Sequence, residues 1–226
     1  LNRFSSSNSS KKAASERGSP VQRDGERKRA KRKPLDETGL RDLALSYAAR
    51  FATTGAKVEA YLARKIRERG IAEDADGRTL DVDIPSLVSR LIELGYVNDD
   101  AYARMKSRDL TARGYGARRV EQALWAAGVD EAVRRDHSPT EAAAREAVAS
   151  LAKKRRFGPY SKALQTDDDE SSTLVNYQKQ QEKQVAAMLR AGHNMQHIRF
   201  IMDISNIADI EQWIEEAIEE QRHDDV

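Results

Sequence analysis

The sequence predicts an all-α protein: tandem three-helix repeats forming an elongated, curved array, with a disordered basic N-terminal tail ahead of them. Three observations predict it. Apolar residues recur at three- and four-residue steps through most of residues 40–221, and the alternation expected of strands is almost absent. Apolar content is 39% against 34% charged, too little for one thick core across 226 residues but enough for thin helical layers. A short pattern also repeats: Leu62-x3-Ile66-x3-Gly70, Val120-x3-Leu124-x3-Gly128 and, more loosely, Gln184-x3-Met188-x3-Gly192. The glycines lie 58 and 64 residues apart, and each copy has a helical stretch before and after it. That is the pattern of a repeated helical unit whose short joints fix the helix crossings.

Element by element, residues 1–36 read as a tail. They are rich in Ser, Lys and Arg and lack apolar periodicity. The run Glu26–Lys33 suits either sequence-blind phosphate contacts or simple solubility. Residues 37–95 form the first expected repeat. Leu40, Leu43, Ala44, Tyr47, Ala48 and Phe51 mark one helix. Val58, Leu62 and Ile66 mark a second that ends at Gly70. A polar loop at 72–83 then leads to a third helix, with Leu87, Val88, Leu91 and Ile92 as its stripe and Gly95 as its stop.

Residues 96–157 form the second expected repeat. Asp99 is the expected N-cap of its first helix, with Asp100 adding favourable charge at the same end. Gly114-Tyr-Gly116 breaks the chain, and Val120, Ala123, Leu124 and Ala127 mark the next helix. Ala142, Ala143, Ala147, Val148 and Leu151 mark the last, which fades into Lys153–Arg156. Residues 158–173 read as a linker, and 174–226 as a third repeat with an acidic C-terminal helix lined by Ile207, Ile210, Trp213, Ile214, Ala217 and Ile218.

The net charge of +2 hides a segregated pattern. Residues 1–34 hold 11 Lys/Arg against 3 Asp/Glu, and residues 101–160 hold 13 against 7. Residues 35–100 hold 9 against 13, and residues 165–226 hold 5 against 14. Such separation implies a section that faces a polyanion and an acidic end. The acidic run at 167–170 suits a solvated linker; the alternative is that the acidic end mimics DNA or folds back on the basic section. Cysteine is absent, so disulfide and thiolate chemistry are excluded. No run approaches the length of a membrane span and no signal-peptide core opens the chain, so a cytoplasmic protein without a membrane partner is expected.

Between residues 91 and 129 the sequence resembles the RecX family of bacterial recombination regulators. The residues that carry the resemblance are Leu94-Gly-Tyr-Val-Asn-Asp-Asp-Ala-Tyr-Ala103, Lys106-Ser-Arg108, Arg113-Gly-Tyr-Gly-Ala-Arg-Arg-Val120, Leu124 and Gly128-Val-Asp130. Lys153-Lys-Arg-Arg-Phe-Gly-Pro-Tyr160 and Met188-Leu-Arg-Ala-Gly-His193 resemble α-proteobacterial-type members. The likeness spans roughly residues 40–203. It departs from the family at the 72–83 loop, at Ser161, where a basic residue often follows the Gly-Pro-aromatic motif, and in the irregular third repeat. The resemblance implies binding to the RecA nucleoprotein filament and inhibition of its ATPase, strand exchange and coprotease activity. It implies a monomer, with weaker, salt-sensitive contact to single- or double-stranded DNA.

The candidate partner- or DNA-binding residues are Arg104, Lys106, Arg108, Arg113, Tyr115, Arg118, Arg119, Lys153, Lys154, Arg155 and Arg156. Arg104 and Arg108 share a helical face, and Lys106 points elsewhere. Arginine suits two-pronged contact with carboxylate or phosphate. The plainer reading of the same residues is a solvated helix face. Tyr102 is expected to face the core, whereas Tyr115, between two glycines, suits either packing or stacking on a base. His193 and His197 have metal-ligand spacing, but no third ligand stands near them, so no metal and no cofactor is expected. Gly114-Tyr-Gly116 lacks the strand and third glycine of a dinucleotide loop. With no catalytic constellation visible, the reading is a non-enzymatic regulator. The alternative from a different class is an independent helix-turn-helix protein that reads duplex DNA.

Overall fold

The computed structural model describes residues 33–161 and 170–224, with side chains at 33–161 and 175–223. The expected basic tail, up to residue 32, and residues 162–169 of the expected linker lie outside the described residues, and the last four linker positions, 170–173, are already helical. Among the described residues the chain forms α1 (Glu37–Arg50), α2 (Gly55–Arg69), α3 (Ile84–Glu93), α4 (Asp99–Ala112), α5 (Ala117–Trp125), α6 (Glu131–Asp136), α7 (Glu141–Arg155), α8 (Glu170–Arg190), α9 (Met195–Asp203) and α10 (Ile207–Asp224). A 3₁₀ turn at Gly158–Tyr160 stands between α7 and α8. Isolated bridges join Leu35 to Ile71 and Glu73 to Thr79, and no longer strand forms among the described residues.

Three apolar cores follow one another along the chain. The first gathers Leu35, Leu40, Ala44, Val58, Leu62, Val88, Leu91 and Val97 from α1–α3 and their flanks. The second gathers Tyr102, Ala103, Leu110, Val120, Leu124, Ala127 and Val129, with Val133 of α6 against it. The third joins Val148, Ala149 and Ala152 of α7 to Met188, Ile198, Ile201 and Ile210. Fully burying side chains of this size stabilises by about 1.5–3 kcal/mol each, so each small core is held by a few residues.

This packing differs from the expected boundaries in three places. Leu35, placed with the tail, is 2% exposed in the first core, and its N–H donates to the Gly70 carbonyl at 2.9 Å. The short α6, invisible to periodicity because six residues carry a single large apolar side chain, is the third helix of the second unit. The helix expected to end that unit, α7, instead buries its apolar face in the third core, which α10 completes.

Helix starts follow the expected cap chemistry, with one exchange. Asn98, not Asp99, caps α4 by accepting from Ala101 N–H at 2.8 Å. Asp99 reaches across to the first unit and accepts from Gly55 N–H at 2.9 Å, so it caps α2. The orphan amides of α2 thus draw an acceptor from the neighbouring unit.

The repeated Leu-x3-Ile-x3-Gly pattern marks the middle helix of each unit, α2, α5 and α8, and these meet end to end. Thr54 Oγ1, at the start of α2, donates to the Ala127 carbonyl at the end of α5 at 2.5 Å. At the next joint α5 has no side-chain cap. Its Gly116 and Arg118 N–H groups donate to the Ala191 and Gly192 carbonyls that end α8, at 2.9 and 3.2 Å. At the α5–α8 joint orphan backbone donors and acceptors therefore satisfy one another, and at both joints the N-terminal end of one helix meets the C-terminal end of another. Glycine is needed on both sides of this joint. A Cβ on Gly116 would strike the Gly192 carbonyl, and one on Gly192 (φ +92°) would strike the Arg119 backbone as well as strain its own conformation.

Candidate partner-binding face

The turn between α4 and α5 organises the basic section. Gly114 N–H donates to the Thr111 carbonyl at 2.9 Å and Tyr115 N–H to the Leu110 carbonyl at 3.1 Å, which ends α4. His193, at the end of α8, is hydrogen-bonded through Nε2 to the Gly114 carbonyl at 3.0 Å. This bond and the Gly116–Gly192 contact fasten the α8–α9 turn to the α4–α5 turn. Burial holds the His193 pKa below its ordinary value, and its Nδ1 has no hydrogen-bond partner. The neutral ring therefore donates through Nε2.

Three grooves lie along this region. The first, about 630 Å³, is lined by Arg104 and Arg108 of α4 together with Thr111, His137, Asp136 and Glu146. Arg104 and Arg108 are exposed and share a face as expected, but carboxylates stand across from them. The second, about 280 Å³, brings together Arg113, Tyr115, Lys154, Arg155 and Arg190. The third, about 530 Å³, is lined by Arg118, Arg119, Gln122, Trp125, Leu189 and Arg190. Its one carboxylate, Glu121, is held by Arg134 at 2.7 Å.

The expected set divides accordingly. Arg104, Arg108, Arg118, Arg119, Lys154 and Arg155 are exposed and line grooves, and no acidic partner pairs with them among the described residues. Arg113 lines the second groove while paired with Asp109 at 3.0 Å. Lys106 is half-buried, lies 4.0 Å from the same carboxylate, and lines none of these grooves. Lys153 and Arg156 are exposed but outside the grooves; Arg156 ends α7 in the left-handed conformation. Tyr115 is half-buried against the second core with one side on the second groove, so it is part packing and part surface.

Tyr102 faces the core as expected. It is 8% exposed, accepts a hydrogen bond from Lys57 Nζ, and that ammonium lies 4.2 Å from the ring centroid. It ties the second unit to the first.

Two residues of this face escaped sequence reasoning. Arg190 reaches both the second and third grooves because of the α8–α5 joint. Trp125 is 67% exposed, off the buried stripe of α5. The sequence carried a signal for it: Arg118, Gln122 and Trp125 are spaced i, i+4, i+7 and share one helical face.

His193 and His197 do not converge on a common site. His197 Nε2 lies 2.9 Å from Glu141 Oε1, and the same oxygen accepts from Arg145 at 2.8 Å. Arg145 sits over the Trp213 ring at 4.8 Å and donates to the Trp213 carbonyl at 2.7 Å, while Phe200 stacks on the same ring at 4.1 Å. This knot ties α7 and α9 to α10. Among the described residues no group of His, Cys, Asp or Glu is arranged to hold a metal, and no ion pair joins α10 to the basic residues.

A family model described as the second three-helix domain of RecX matches residues 98–136, the span of α4–α6. A regulatory protein RecX from Myxococcus xanthus is 28% identical over 193 residues, covering 83% of this chain and 96% of that one. The chain is similar to RecX proteins in sequence along most of its length, and its second three-helix stretch matches the RecX model. A RecX of Mycobacterium sp. (strain KMS) is 34% identical over 102 residues, 44% of this chain and 51% of its own. The crystal structure of RecX from Lactobacillus salivarius shares the fold, with a TM-score of 0.52 and 21% identity over 74% of this chain and 94% of that one. The match at 98–136 ends at α6, as the second core does. No helix among the described residues is long and apolar enough to cross a membrane.

Proposed function

We propose that this chain binds the RecA nucleoprotein filament and lowers its ATPase, strand-exchange and coprotease activities, acting as a monomeric, non-enzymatic cytoplasmic regulator. The observation that carries the reading is the gathering of Arg113, Lys154, Arg155, Arg190, Arg118 and Arg119 around two adjoining grooves at the joint between units. Arg113 is paired with Asp109, whereas the guanidinium groups of Arg155, Arg190, Arg118 and Arg119 have no acidic partner among the described residues and suit the carboxylates of an acidic protein surface and the phosphates of the DNA inside a filament. Arg104 and Arg108 extend the basic surface along α4. Contact dominated by such charges weakens with salt.

The test is a variant with Arg104, Arg108, Arg118 and Arg119 all changed to Glu. Circular dichroism should report the fold unchanged, and inhibition of RecA ATPase on single-stranded DNA should be lost. Full inhibition by the folded variant refutes the assignment. Inhibition that develops only at protein levels saturating the DNA, with DNA affinity indifferent to RecA, points instead to independent DNA binding.

A further inference from the structure

We propose that the third groove is a single-stranded nucleic-acid subsite, in which the exposed indole of Trp125 stacks on a base and Arg118, Arg119 and Arg190 hold the flanking phosphates. This names the ligand class of part of the face proposed above and rests on that face being the working surface. Trp125 is the most exposed of the large apolar side chains among the described residues, at 67%, although it adjoins Leu124, which is fully buried. The α5 helix therefore turns Leu124 and Val120 into the core and leaves the indole on the side of Arg118 and Gln122. Arg190 closes the groove from α8, placed there by the Gly116–Gly192 joint.

The chemistry favours a nucleotide over an acidic protein segment. The apolar lining of the groove is Trp125 and Leu189, which falls short of the clustered apolar anchors at the centre of a protein interface. A flat indole face suffices for one base, because every base has a π-face. Three guanidinium groups beside it supply phosphate contacts, and the Gln122 amide, 3.2 Å from Arg119, offers both a donor and an acceptor to a base edge. With Glu121 paired to Arg134, the groove keeps its positive potential. Arg190 also lines the second groove, so a strand leaving the indole passes towards Arg155, Lys154 and Tyr115.

The test uses the full chain and oligothymidylate, with RecA absent. Tryptophan emission should quench on titration and the quench should vanish in Trp125→Ala, because the other tryptophan, Trp213, is packed against Phe200. Affinity should fall about tenfold or more in Trp125→Ala, in line with the worth of one base–aromatic stack, and recover in Trp125→Tyr. Arg190→Ala should reduce the salt dependence of binding. Equal affinity of Trp125→Ala and the parent chain overturns the proposal. So does a Trp125→Ala chain that loses hold of DNA-free RecA while binding the oligonucleotide as before, which would assign the groove to protein. Because RecA is absent from the titration, a failed ATPase test leaves this result standing, and a failed titration leaves the filament reading standing.

Discussion

The Gly116–Gly192 joint offers the sharpest test of how the units are held. Gly116 has φ −81° and ψ 170°, a conformation that alanine adopts freely. Gly116→Ala therefore brings no backbone strain, and by restricting the unfolded chain it would on its own stabilise by about 0.4–1 kcal/mol. The added Cβ, however, falls on the Gly192 carbonyl and within 2.5 Å of His193 N, all of it backbone. The two turns must separate, and the Gly116-to-Ala191 and Arg118-to-Gly192 hydrogen bonds at 2.9 and 3.2 Å are lost. Each is worth about 0.5–1.5 kcal/mol net, and a donor left buried without a partner costs about 1–3 kcal/mol. The expected loss is about 2–4 kcal/mol, a large share of the roughly 5–15 kcal/mol of a typical domain. Urea unfolding followed by circular dichroism measures it. The control is Gly77→Ala, where φ is +75° and nothing lies within 4 Å, so the loss is conformational alone, about 1–2 kcal/mol. If Gly116→Ala is no more harmful than Gly77→Ala, the joint does not hold the units together.

Other outcomes follow from the ties between units, from the buried His193 and from the exposed Glu141 carboxylate. Asp99→Ala should destabilise by about 1 kcal/mol in thermal unfolding, because it removes the acceptor for Gly55 N–H and hence the second cap of α2. Tyr102→Phe keeps the ring under the Lys57 ammonium but removes the hydroxyl acceptor, and should destabilise by about 0.5–1.5 kcal/mol in urea. His193 has its pKa lowered by burial, so the unfolded chain takes up the proton more readily. Its contribution is complete above pH 6.5 and falls as pH drops below that value, and His193→Gln should flatten the stability profile there. Burial would raise the Glu141 pKa, but hydrogen bonds and charges from Arg145 and His197 outweigh it and the value is lowered. That contribution is complete above pH 4.5 and is lost as pH falls through the lower folded value, so Glu141→Gln should lose the acid-side decline.

The fold was legible where periodicity was long. The α1–α5 and α7–α10 stretches announced themselves through apolar spacing, and the Gly70, Gly128 and Gly192 stops marked three equivalent middle helices. What failed was grouping. A helix as short as Glu131–Asp136 holds too few residues to display a period, and without it α7 filled the vacant third place in the second unit. Asp99 failed for a different reason. Its type and position fitted a cap, but the amide it serves belongs to α2, forty-four residues away in the chain. Local cap rules identify which side chains can accept an orphan N–H, and they do not say which helix end stands nearest in space.

The candidate face divides the same way. Helical spacing alone places Arg104 with Arg108, and Arg118 with Gln122 and Trp125. It cannot place Arg190, which reaches Arg118 and Arg119 through a backbone contact between two glycines. Charge segregation located the basic section but not the carboxylates that share its first groove, since Asp136 and Glu146 arrive from α6 and α7. The consequence is that the strength of the face is set at the joint as much as by its arginines. Arg190 ends α8, and its position depends on Gly192 holding φ +92° against the Arg119 backbone. Gly192→Ala alters no charge, and its added Cβ meets the backbone and Cβ of Arg119 rather than any guanidinium. It should nonetheless weaken oligothymidylate binding, by moving Arg190 away from Arg118 and Arg119, whereas changes at Lys153 or Arg156, outside the grooves, should leave that binding nearly unchanged.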